Sequence, residues 1–212
     1  MPTELPAGLA ARAFLIAYDV ERAKLTGANQ AELVRAAALV QLSLAGLLID
    51  ENGKALVSGR RTHDPVLDAV LDRIADSRLR SWKHWVTADP KATYRAVRDR
   101  LAEERVIRVE EKTLLGVIPR KIVTVRDTRI VRELISGARA TVLGGTPVDQ
   151  LDAGQAALVA LVAAVELNTV FNGRERRQHR DRIRRLTERA GPAVTALRRA
   201  VEDQHAATAA SA

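Results

Sequence analysis

Cysteine is absent from the chain, which excludes a disulfide framework, thiolate metal sites and cysteine nucleophiles, and which is compatible with a reducing compartment. Aromatic residues make up only 3% of it, too few to line a channel in which successive nucleic-acid bases stack. Long apolar runs are missing too. The longest weakly charged stretch, Leu33–Ile49, is 17 residues long and is interrupted by Arg35, Gln41 and Ser43. A membrane-spanning helix needs about 20 predominantly apolar residues, so this stretch reads as the buried central helix of a globular domain. Glu4, Pro6 and Arg12 break up the N-terminal segment and leave it without the basic and apolar blocks of a secretory signal. The histidines (His63, His84, His179 and His205) are scattered, and no HExxH, GxSxG or GxxxxGK[ST] pattern occurs. No catalytic residue, metal or cofactor is therefore expected, and the His63-Asp64 pair reads as the start of a helix.

What the chain does have is apolar content and positive charge. Of its 212 residues 47% are hydrophobic, enough for a core built from Ala, Leu and Val, so disorder is excluded. Arginine outnumbers lysine by 28 to 6, a bias that points to a GC-rich coding genome of actinobacterial type. Net charge is +8, and two segments account for it. Residues 171–190 hold eight arginines against three carboxylates, and residues 91–108 hold six basic residues against three. Such concentration points to an anionic partner, although a solvated helix face remains open for Arg174–Arg189. There Ile183, Leu186 and Ala190 form an apolar band at about 100° per residue. Arg182, Arg185 and Arg189 flank it on one side, and Arg177, Arg180 and Arg184 on the other.

Periodicity predicts a mainly α-helical, single globular domain spanning 10–204, with 1–9 and 205–212 as flexible termini. Helices are expected over Ala31–Leu47, Pro65–Ile74, Thr93–Glu104, Asp127–Leu143, Val148–Phe171, Arg174–Arg189 and Pro192–Gln204. Asn52-Gly53 predicts a small hairpin. Trp82 and Trp85, three apart, read as core. Apolar residues from Val106 to Val125 predict two strands with an apolar connection, Leu114, Leu115, Val117 and Ile118, which is either an ordinary core strand or a projecting tip. The tip lies between Lys112, Arg120 and Lys121, a setting that suits an anionic bilayer or a partner subunit.

A buried helix tolerates a charge poorly unless it is paired or reaches solvent or ligand, which singles out Arg35. Arg95 and Arg98 share a face of the later helix. Three convergent guanidiniums would cradle a phosphate, whereas ion pairs with Glu32 or Asp99 are the alternative use.

The blocks AELVRAAALVQLSLAGLLID, DPVLDAVLDRI, YRAVRDRLAEERVIRVEEKTLLGVIPRKIVTVRD and LDAGQAALVALVAAVEL resemble, in order, the Golgi phosphoprotein 3 (GPP34) family in its shorter bacterial form. The resemblance covers roughly Arg12 to Val201. It implies a helical fold with a projecting hairpin used in oligomerisation and membrane engagement. It also implies peripheral binding of phosphatidylinositol 4-phosphate, through a pocket of one Trp and three Arg. By motif those arginines fall on Arg35, Arg95 and Arg98. The Trp position falls on Thr26, with Lys24 nearby, so selectivity for that lipid is not implied. Gln41 stands at the family's Glu. The expected protein is cytoplasmic and peripherally membrane-associated, with an anionic phospholipid headgroup as partner and no enzymatic role. Two alternatives stand beside it. One is a winged-helix-like DNA-binding protein, weakened because the helix face that would read bases offers no Asn or Gln. The other is an interaction scaffold, a homo-oligomer joined through the hairpin.

Overall fold

Short polar side chains start many of the helices. The computed structural model describes residues 5, 8–59, 61–114 and 118–211. Asp64 accepts from the Val66 amide at 2.9 Å, with Pro65 in the first helical position, and so opens α3 (Pro65–Ala75). Asp127 caps α6 (Thr128–Leu143), Asp152 caps α7 (Ala153–Ala164), and Ser81 caps α4 (Trp82–Thr87). Asn172 and Glu175 form a capping box at the head of α8 (Gly173–Gln178). A less local cap opens α1 (Leu9–Ile16). The Gln41 side chain, from α2 (Gln30–Leu44), accepts from the amides of Leu9 at 2.8 Å and Ala10 at 3.3 Å. The remaining helices are α5 (Pro90–Glu103), α9 (Arg180–Ala190) and α10 (Pro192–Ala210).

The chain is mainly α, 62% helical, and its sheets are small and antiparallel. At its centre α2 and α7 pack on one another. Every residue of α2 from Leu33 to Val40 is buried, and so is most of α7. Each Leu or Val so buried contributes on the order of 1.5–3 kcal/mol, and these helices carry almost no charge to oppose it. Around the pair, α1, α4, α5 and α10 pack on α2, while α6, α9 and α10 pack on α7. Trp82 and Trp85 are both buried.

Three short sheets decorate this body. β1 (Tyr18–Asp19) pairs with β2 (Lys24–Leu25). β3 (Leu48–Glu51) and β4 (Lys54–Val57) form the Asn-Gly hairpin, in which Asn52 and Gly53 both have positive φ (53° and 80°), as a tight two-residue turn requires. β5 (Arg80–Ser81) adds to the β4 edge. The longest hairpin joins β6 (Ile107–Leu114) to β7 (Ile118–Val125), in register from Ile107 opposite Val125 to Leu114 opposite Ile118. Its base is anchored by buried Ile107, Val123 and Val125. Leu115 and Val117, expected at its tip, lie outside the described residues, and so do the side chains of Leu114 and Ile118.

Several helix boundaries differ from expectation. Gly46 at φ 69° ends α2 before Leu47. The stretch expected as one helix from Val148 to Phe171 is a 3-10 turn (Val148–Gln150) followed by α7, which stops at Ala164 and is followed by Glu166 at φ 53°. The helix expected over Arg174–Arg189 is divided at His179. α10 continues past Gln204 to Ala210.

Candidate anion-binding site

Helix α5 carries the first of the basic segments. Its buried face is Thr93, Val97 and Leu101, each four residues from the last, which leaves Arg95 exposed and Arg98 at the edge of the buried surface. Arg100 ties the helix to α3, donating to Asp64 at 2.6 Å and to Glu104 at 2.8 Å. Asp89, in the left-handed region at φ 51°, precedes Pro90 and pairs with Arg73 at 2.8 Å. That hydrogen bond holds the Asp89 carboxyl below the usual carboxylate range.

Arg35 sits beneath this end of α5, only 2% exposed. Its Nε donates to the Trp85 carbonyl at 2.9 Å and its Nη1 to the Thr93 hydroxyl at 3.0 Å, so one guanidinium joins α2, α4 and α5. Nη2 is buried with no hydrogen-bond partner among the described residues. Loss of hydration, with the charge of Arg73 adding to it and Asp89 opposing, brings its pKa down to about 10. At neutral pH it remains a cation.

Arg98 borders an open cleft of about 310 Å³ together with Lys24 and Leu25 of β2, Gln30 of α2, Tyr94 of α5, and Lys121, Ile122 and Val123 of β7. Of the three arginines singled out by sequence, it alone lines this cleft. Arg95 lies one turn earlier on α5, in solvent. The Arg98 guanidinium is held by Asp99, with Nε and Nη2 at 2.8 and 2.7 Å from Oδ1, while Lys121 approaches Glu111 at 3.4 Å. Tyr94 donates its hydroxyl to Gln30 at 3.1 Å, and burial pushes its pKa up. The phenol therefore stays neutral and orients Gln30 at the cleft wall. Thr26 does not line the cleft. Its amide and hydroxyl both donate to the Ala17 carbonyl, at 2.8 and 3.1 Å.

The arrangement brings three cations, Lys24, Arg98 and Lys121, to one concave surface beside a neutral hydroxyl and amide, a donor set suited to an oxyanion. Tyr94 was within reach of sequence reasoning, since it lies four residues before Arg98 and so on the same face. The meeting of Lys24 with Lys121 has no such signal, because it depends on β2 packing beside β7. Among the described residues no cluster could hold a metal ion, and no helix is long and apolar enough to cross a membrane.

No curated protein matches the chain significantly. Residues 9–204, almost the whole length, match the family described as Golgi phosphoprotein 3 (GPP34). With that match extending from α1 into α10, the chain belongs to the Golgi phosphoprotein 3 family.

Proposed function

We propose that the protein binds anionic phospholipid headgroups, of the phosphatidylinositol 4-phosphate kind in their chemistry, and does so peripherally at a membrane surface without catalysing a reaction. The observation that supports this most is the convergence of Lys24, Arg98 and Lys121, from three separate elements, on a single open cleft. Arg95 adds charge beside it, and Arg35 holds α5 in place from below. Hydrogen bonds from these cations meet phosphate oxygens, while the basic surface as a whole draws the protein towards an anionic bilayer.

Flotation with phosphatidylglycerol-containing and pure phosphatidylcholine vesicles tests it, using wild type and the Lys24→Ala/Lys121→Ala variant. Both lysines are exposed, so the variant folds. At about 1 kcal/mol for each basic residue near an anionic surface, the double change weakens binding about thirtyfold. Equal binding to neutral vesicles, or an unchanged variant, overturns the proposal. Sequence-selective binding to duplex DNA would favour the winged-helix alternative instead.

A further inference from the structure

The second basic segment, on α8 and α9, uses the two flanks of its apolar band in different ways. Leu186 and Ala190 are buried against the body, with Ile183 half-buried beside them. On one flank two of the three arginines fix neighbouring backbone, and Arg185 does not. Arg182 donates to the carbonyls of Thr141 at 2.8 Å and Thr146 at 2.6 Å, and Arg189 donates to Val148 and, at 2.7 Å, to Leu151. These bonds pin the 3-10 turn and the chain on either side of it to α9.

The other flank has no such task. Arg180 and Arg184 of α9 line a groove of about 480 Å³, with Arg176 and Arg177 from α8 and Arg198 from α10. Its floor includes Ala163, Ala164 and Ile183. Arg176 is held in place by Asn168 at 3.0 Å, by the Phe171 carbonyl and, at 3.5 Å, by Glu166. Arg184 has only distant partners, Asp181 and Glu188, each at 3.8 Å, and Arg198 pairs with Glu202 at 3.3 Å. Arg177 and Arg180 are exposed, and their side chains make no hydrogen bond or ion pair among the described residues. Against these five guanidiniums the lining sets two carboxylates, Glu166 and Asp181, a balance of +3. Docking of α9 requires Leu186, Ala190 and the pins on the opposite flank, so packing does not account for this concentration of like charge. A bound anion would relieve the repulsion.

We propose that the groove is a second anion site, separate from the cleft beside Arg98, and that it takes a phosphate monoester carried on a small apolar body. Arg177 and Arg180 hold the phosphate through charge-assisted hydrogen bonds, with Arg184 and Arg198 supplying further positive charge. The apolar body lies on Ala163, Ala164 and Ile183. The volume suits a small organic ligand, since such sites run to about 300–1,000 Å³. A phosphorylated soluble molecule and a phosphatidic acid headgroup both present this chemistry.

Calorimetric titration with phenyl phosphate and with inorganic phosphate tests the site. Phenyl phosphate binds saturably and more tightly than inorganic phosphate, because the floor accepts its ring. Arg177→Ala/Arg180→Ala weakens it by at least about tenfold, the scale of a lost charge-assisted hydrogen bond. Those side chains have no partners to lose, so the variant folds. Arg174→Ala/Arg185→Ala removes the same charge from the same segment outside the groove and leaves binding within about twofold. An equal loss in both variants, no loss in the first, or no preference for phenyl phosphate overturns the proposal. Displacement of phenyl phosphate by phosphatidic acid vesicles identifies a lipid source, and retention in their presence a soluble one. The Lys24→Ala/Lys121→Ala variant keeps phenyl phosphate binding while losing flotation, so failure of either site is read separately.

Discussion

Arg35 is the residue whose position most needs a physical account. A guanidinium only 2% exposed still carries its charge at neutral pH, since burial lowers its pKa no further than about 10 and two neutral dipoles receive its hydrogen bonds. Those dipoles are the Trp85 carbonyl and the Thr93 hydroxyl; Glu32, the partner that spacing offered, does not pair with it. Arg98 does take the alternative that spacing offered, pairing with Asp99 while bordering the cleft. Removing the Arg35 side chain loses two charged hydrogen bonds and leaves a cavity, but it also removes a buried charge. Arg35→Ala is therefore expected to cost about 2–4 kcal/mol in urea unfolding. Arg35→Met, which fills the space without the charge, costs less. An Arg35→Met variant as unstable as Arg35→Ala would show that the hydrogen bonds outweigh burial of the charge.

At the scale of elements, the informative contact is Gln41 at the head of α1. The first amides of any helix lack intrahelical partners, and here the acceptor comes from the last turn of another helix. The same contact ties the start of α1 to α2. Gln41→Ala is expected to lower stability by about 1–2 kcal/mol. Gln41→Glu keeps the acceptor and adds a negative charge at a helix N-terminus, so it holds stability near wild type. Thermal or urea unfolding of both variants checks this, and a Gln41→Glu loss equal to that of Gln41→Ala contradicts it. The division between α8 and α9 at His179 also belongs here. The heptad-like band of Ile183, Leu186 and Ala190 is confined to α9, and the preceding turn is governed by its own Asn172–Glu175 capping box. A continuous pattern of arginines hid that boundary, because charge does not alter helical periodicity.

For the molecule as a whole, ionisation sets how stability varies with pH. Asp89, Asp68 and Glu175 are held below their ordinary values, first by hydrogen bonds from Arg73, Thr62 and Arg139 respectively. Each contributes stability that is present above its unfolded value, 3.8 for the aspartates, and that is lost as pH falls through the lower folded value. His84 is shifted down from 6.5, by burial first and then by Arg80 and Arg73. Its contribution is likewise complete above 6.5 and declines as pH falls below it. The melting temperature is therefore expected to be flat between about pH 7 and 9, to dip slightly below 6.5, and to fall steeply in acid. His84→Gln abolishes the first dip; persistence of that dip in the variant would assign it elsewhere.

Much of the architecture was legible in the residues alone. The buried central helices follow from two long stretches nearly free of charge, the start of α3 from Asp64-Pro65, and the β3–β4 hairpin from Asn52-Gly53. These signals are local, since helical period and capping chemistry act within one or two turns of chain. The site was legible only in part. Arg98 could be named and the family resemblance set Lys24 near the same pocket, but Lys121 could not be joined to them, and the two flanks of α9 looked equivalent.

By itself, then, the sequence determined the helical class, the core helices, the family and the two segments that hold the positive charge. Only the tertiary structure decided which cations are free to meet a ligand. Arg35 is occupied by groups 50 and 58 residues away, and Arg182 by carbonyls 41 and 36 residues away. Arg177 and Arg180, with the same chemistry, have no protein partner among the described residues. The physical reason is that an arginine's helix position sets the direction of its side chain, whereas its partner is whatever the packing of distant elements brings within hydrogen-bond reach.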